Sequence, residues 1–207
     1  MPYVLGGLSR DYTTPGDQTT LRREAGLDIK YSVTPGLTLD LTVNTDFAQV
    51  EVDDEQINLT RFDLFFPEKR PFFLENSGFF EFGAAQEVEI FFSRRIGLDE
   101  ERRQVPIDAG ARLSGQGGPS PIGLLNMQTA DIDGRVSANN YSVARVSREL
   151  PNRSSIGVIG VNRQALGDAN IANSFNRTYG ADANFGIGKF GNWFNFIAKT
   201  ESPQPVS

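Results

Sequence analysis

Strict alternation in residues 27–44 restricts the fold more than any other feature. In Leu27-Asp28-Ile29-Lys30-Tyr31-Ser32-Val33 the odd positions are apolar and the even ones polar. After Thr34-Pro35-Gly36, a turn by composition, Leu37-Thr38-Leu39-Asp40-Leu41-Thr42-Val43-Asn44 repeats the pattern. A period of two places alternate side chains on opposite faces of a strand. The stretch is therefore predicted to be a hairpin with one apolar and one polar face.

The pattern returns in a meander over residues 105–201. Ile107 to Ser114 leads through Gly117-Gly118-Pro119-Ser120 to a strand from Ile122 to Ile132. Asn140 to Glu149 and Ser154 to Gln164 flank Leu150-Pro151-Asn152-Arg153, and Arg177 to Ile187 and Asn192 to Glu201 flank Gly188-Lys189-Phe190-Gly191. Longer polar stretches, Asp131–Asn139 and Leu166–Ser174, separate the pairs. Val143-Ala144 and Val158-Ile159 break the alternation, which predicts bulges or strands buried on both sides.

The expected fold is all-β, an antiparallel meander of long hairpins. Strands of about 9–11 residues exceed the ~5–6 usual in soluble sheets and suit tilted strands crossing a membrane. In that reading Leu27, Ile29, Tyr31, Val33, Leu37, Leu39, Leu41 and Val43 face lipid, while Asp28, Lys30, Asp40, Arg112 and Asp182 face a wet lumen. Tyr179, Trp193 and Phe194 are candidates for an interfacial aromatic girdle. The alternative is a large soluble sheet with one solvated face. Roughly nine candidate strands are an odd number where a bacterial barrel normally closes with an even one. Residues 1–207 are therefore expected to form a single barrel fragment, a curled and partly open sheet.

Residues 45–92 differ from the rest, holding eleven of the sixteen phenylalanines. Leu59, Phe62 and Phe66 sit at helical spacing before Pro67, which predicts a short helix from about Asp54 to Phe66. Pro71 bounds a second short piece, and Val88 to Ser93 reads as a strand. Three roles are open for this Phe-rich, short-helical insert. The first is packing, with Arg70 or Lys69 paired to Glu68 or Glu75 and the rings filling a barrel end. The second is ligand binding, with Glu68, Lys69, Arg70, Phe72, Phe73 and Glu75 as candidates. The third is glycan hydrolysis by a carboxylate pair drawn from Glu68, Glu75 and Glu81. The cluster Asp46, Glu51, Asp53, Asp54 and Glu55 lacks the spacing of a calcium loop and reads as a solvated acidic loop.

The chain has 207 residues, neither Cys nor His, and a net charge of −6. Imidazole triads and thiolate metal sites are thereby excluded. An acidic chain is a poor partner for nucleic acid. No cofactor and no metal is expected. No run of about 18 apolar residues is present. The start MPYVLGGLSRDYTT resembles no export signal, so a cytosolic protein or a fragment with its signal upstream is expected.

Four segments carry a resemblance. Asn44-Thr45-Asp46-Phe47-Ala48-Gln49-Val50-Glu51, Asn58-Leu59-Thr60-Arg61-Phe62, the run Phe65 to Glu75, and Phe92-Ser93-Arg94-Arg95-Ile96-Gly97 are similar to a family of gram-negative bacterial proteins with the domain of unknown function 5916. The likeness spans roughly residues 22–200. It implies an outer-membrane β-barrel, usually following a family 9 carbohydrate-binding domain that this sequence lacks. Outer-membrane lipid, a glycan ligand and that upstream domain are the partners it implies. The implied function is the barrel part of a protein for glycan or nutrient binding or uptake, with no catalytic residues to transfer.

Overall fold

The computed structural model describes residues 2–10, 19–45, 67–83, 88–99, 103–133, 135–166 and 174–203. The expected helix at 54–66 and the acidic cluster at 46–55 lie outside these residues. Nine strands form one antiparallel sheet in chain order: β1 (Pro2–Arg10), β2 (Thr19–Thr34), β3 (Leu37–Thr45), β4 (Ile107–Gly117), β5 (Ser120–Thr129), β6 (Asn139–Leu150), β7 (Ser154–Ala165), β8 (Phe175–Ile187) and β9 (Gly191–Glu201). The sheet is a meander that does not close, since β1 and β9 each pair with one neighbour. Among the described residues helix is confined to short turns between β3 and β4, including α1 (Pro71–Leu74), where proline occupies the first turn and forfeits no hydrogen bond.

Tight turns lie at one edge of the sheet and long connections at the other. Leu37, Gly115, Ile122, Val146, Val158, Ala181 and Ile197 form one row of paired residues across β3–β9. Beyond this row β4 continues two residues to its closing pair Gly117–Ser120, β6 four to Leu150–Ser154, and β8 six to Ile187–Gly191. Each hairpin thus ends two residues further along than the last. One residue per strand, at ~3.4 Å rise and ~4.8 Å spacing, tilts the strands about 35° from a common axis, the range of β-barrels.

The step has a local cause, because each turn is gripped by the next hairpin. The Gln116 amide donates to the Gly36 carbonyl at 2.7 Å, and the Glu149 amide to the Pro119 carbonyl at 2.9 Å. The third turn rests on β8, where a Cβ on Gly186 would collide with the Asn152 carbonyl. Only glycine permits that approach.

The two faces are covered differently. Residues 67–83 and 88–99 of the insert lie on the inner face, and the core forms between them and the sheet: Phe73, Phe80, Phe82 and Ile96 pack with Ile107, Leu125, Met127, Val143 and Ile159. Fully burying each ring contributes about 1.5–3 kcal/mol. Glu75 reaches β2, whereas Phe82 reaches β8 and β9. In a flat sheet β2 and β9 stand about 34 Å apart, too far for residues 75–82 with their helical turn to bridge. The sheet therefore curls around the insert.

The outer face carries the aliphatics, exposed: Ile29, Tyr31 and Val33 on β2, Val158 on β7, Ile197 and Trp193 on β9. The apolar band follows the tilt. The row holding Ile29, Leu41 and Ala111 on β2–β4 continues as Asn126, Ser142, Asn162 and Arg177 on β5–β8. Nearer the turns of β8 and β9, the outward pair Phe185–Trp193 is apolar.

Four expectations are corrected. Val88 to Ser93 is not a strand: β3 and β4 pair with each other directly, leaving no edge there, so the apolar side chains of this segment go onto the sheet face. The ninth strand is Pro2–Arg10 instead. No register shift occurs at Val143-Ala144 or Val158-Ile159. Val143 and Ile159 enter the core while Val158 faces out, so both faces are apolar there. Asp40 and Arg112 do not face a wet lumen, since both are buried under the insert, whereas Lys30 is exposed. Phe194 points inward beside Phe196, with ring centroids 6.4 Å apart, and does not join Tyr179 and Trp193 on the outer face.

Candidate functional site

The site is the seam between insert and inner wall, held by three groups of contacts. The first lies within the insert. Arg70 binds Glu68 in a fork, Nε to Oε1 at 2.8 Å and Nη2 to Oε2 at 2.7 Å. The amides of Lys69 and Arg70 donate to Glu68 Oε1, and the Ser93 hydroxyl donates to Oε2 at 2.7 Å. Arg70 also donates to the carbonyls of Ile96 at 2.6 Å and Ser93 at 2.8 Å, and lies 4.1 Å from the centre of the Phe73 ring. A planar donor with five N–H groups is suited to this task, and lysine is not. Burial opposes ionisation of Glu68, but Arg70 and Ser93 more than offset it, so this carboxyl titrates below the ordinary range.

The second group joins insert to sheet. Arg112 on β4 donates to Asp40 on β3, Nη2 to Oδ2 at 2.6 Å, and caps the carbonyls of Phe72 and Glu75 at the end of α1. Its guanidinium sits 4.9 Å from the Phe72 ring centre. Glu75 takes a hydrogen bond from Lys30 and lies 3.6 Å from Arg112. The hydrogen bond from Lys30 is the largest cause holding its carboxyl below the usual range, with the charges of Lys30 and Arg112 adding to it. Asn76 donates to Ser114 at 3.2 Å.

The third group is steric. A Cβ on Gly123 would sit 2.7 Å from the Phe79 carbonyl oxygen, and one on Gly180 2.7 Å from the Phe82 ring. These two bare positions admit the insert's aromatic edge. Beside them Arg145 on β6 binds Asp182 on β8, Nη2 to Oδ2 at 2.8 Å, with its guanidinium 5.6 Å from the Phe82 ring centre.

Of the residues singled out by sequence, the structure brings together Glu68, Arg70 and Phe73, which are all in this seam. Phe72 is half-buried against Arg112, and Glu75 is half-exposed and bound to the sheet. Lys69 is exposed, as is Glu81. Sequence reasoning missed the wall partners Arg112 with Asp40, and Arg145 with Asp182. The available signal was charge of opposite sign at inward positions of β3, β4, β6 and β8.

A glycoside-cleaving pair keeps one carboxylic acid protonated near neutral pH. Glu68 and Glu75 are instead both held ionised by cations. Nor do the rings form an open stacking platform, since Phe73, Phe80 and Phe82 are buried. The arrangement can close a concave wall and hold that closure by charge. Among the described residues no three acids are grouped to hold a metal ion, and no helix is long and apolar enough to cross a membrane.

Residues 1–139 match the family model described as Domain of unknown function (DUF5916). The match starts and ends earlier than the likeness read over residues 22–200, stopping where β6 begins. No curated protein and no solved structure matches the chain.

Proposed function

On the premise that the chain belongs to the family of the domain of unknown function 5916, we propose that it is the membrane-embedded wall of an outer-membrane β-barrel, with its insert as an internal closure. The observation that carries this reading is the exposed aliphatic band on the outer face, which steps along the strands with the turns. Water gives a sheet no reason to expose Ile29, Val158 and Ile197 together, whereas a bilayer of fixed thickness around tilted strands requires such a band. Short turns at one edge and long connections at the other fit the same reading.

The insert then occupies the bore, held by the Arg112–Asp40 and Arg145–Asp182 pairs of the wall and by the Glu75 contacts. A closure held by charge suits binding or uptake of a glycan or other nutrient better than catalysis, because Glu68 and Glu75 are bound to cations.

The test is detergent dependence of the full-length protein. Folding into a protease-resistant, heat-modifiable species is expected only with micelles or vesicles. A monodisperse, cooperatively folded protein in plain buffer would sink the proposal.

A further inference from the structure

We propose that the outer face at β6–β9 docks one anionic phospholipid of the leaflet nearest the tight turns; this rests on the membrane reading above. A shallow apolar depression crosses the face here, floored by Ala181 and Ala183 and bounded by Val146, Ile156, Val158 and Ile197. Its shape follows from side-chain size at paired positions. Val146, Val158, Ala181 and Ile197 form one row, and Arg148, Ile156, Ala183 and Asn195 the next, so two methyl groups lie among branched chains. A dent facing hydrocarbon loses dispersion contacts unless a flexible chain fills it, and an acyl chain is such a filler.

The rim says which lipid. Arg148 closes the depression on the turn side. It is exposed, and its side chain makes no hydrogen bond or ion pair with the described residues. The neighbouring turns add Arg153 and Lys189, so the charged groups of the turn edge are these three cations and one carboxylate, Glu149. A guanidinium at a hydrocarbon border snorkels toward anionic groups, and its donor fork matches phosphate oxygens. Acyl chain in the dent and phosphate on Arg148 satisfy both features with one molecule.

The experiment reconstitutes full-length protein in phosphatidylcholine vesicles containing a minor share of phosphatidylglycerol, re-extracts it in mild detergent and quantifies retained lipid by native mass spectrometry. Wild type is expected to retain phosphatidylglycerol several-fold above its share. Arg148→Gln, which removes the charge, and Ala181→Leu, which fills the dent, each abolish most of that enrichment. Arg177→Gln in the outward polar band leaves it unchanged. Insertion into pure phosphatidylcholine, read by protease protection, stays equal in all four proteins. Insertion without enrichment in wild type, or equal enrichment in Arg148→Gln and Ala181→Leu, overturns the lipid site and spares the membrane reading. Failure of wild type to insert into any vesicle overturns both.

Discussion

The two faces of the same strands invert the usual rule. On the inner face Arg112 is 2% exposed, while on the outer face Ile197 is 74% exposed. Burying a guanidinium costs several kcal/mol unless paired and hydrogen-bonded, and Arg112 has a carboxylate and two carbonyls. Exposing a band of aliphatics to water is likewise costly. The inner face therefore owes its burial to the insert, and the outer face calls for an apolar surrounding. What covers a face, not its composition, determines whether it is a core.

The comparison breaks most readily at Arg112. Arg112→Met leaves buried Asp40 with only Lys30, 3.7 Å away, and uncaps α1, at a cost of about 3–5 kcal/mol. Denaturant unfolding in detergent reads the loss, and adding Asp40→Asn should restore part of it. A loss under about 1 kcal/mol would mean the pair does not hold the seam. Phe73→Ala should cost about 3–5 kcal/mol by cavity formation, and Phe72→Ala distinctly less because its ring is half-buried. Equal losses would contradict the placement of these two rings.

On the outer face, Val158→Arg should cost about 2–4 kcal/mol in a bilayer but within about 0.5 kcal/mol if the face meets water. Equilibrium folding into vesicles decides between the two. The smallest expected effect is that of acid. Glu68 and Glu75 have folded-state pKa values below their unfolded ones, so the stability they contribute is present above the unfolded pKa, about 4.3. It fades as pH falls through the folded values. Insert protection against protease should hold at neutral pH and decline only below about pH 4. Decline near pH 6 would point to other groups.

Much of the wall was legible beforehand. The turns at Pro35-Gly36, Gly118-Pro119, Asn152-Arg153 and Gly188 stand where turn chemistry placed them, and Asn152 and Arg153 adopt positive φ. Expected strands after residue 105 differ from β4–β9 by at most three residues at their ends. The insert was less legible. Val88-Glu89-Ile90-Phe91-Phe92 has the composition of a strand, but β3 and β4, which flank it in the chain, pair with each other and leave it no edge there. Glu75 could be assigned to a neighbour in sequence, yet its partners are Lys30 and Arg112, 45 and 37 residues away.

The sequence by itself determined where strands run, where they turn and which side chains share a face. Those properties follow from a period of two and from local turn geometry. The pairing of Asp40 with Arg112 is not among them, because these residues meet only in the register of two strands that the insert separates. Only the tertiary structure decided which face is inside. Alternation has no sign, and the choice depends on where an insert between β3 and β4 folds back. That is settled by contacts reaching from Lys30 on β2 to Phe196 on β9, which no local pattern contains.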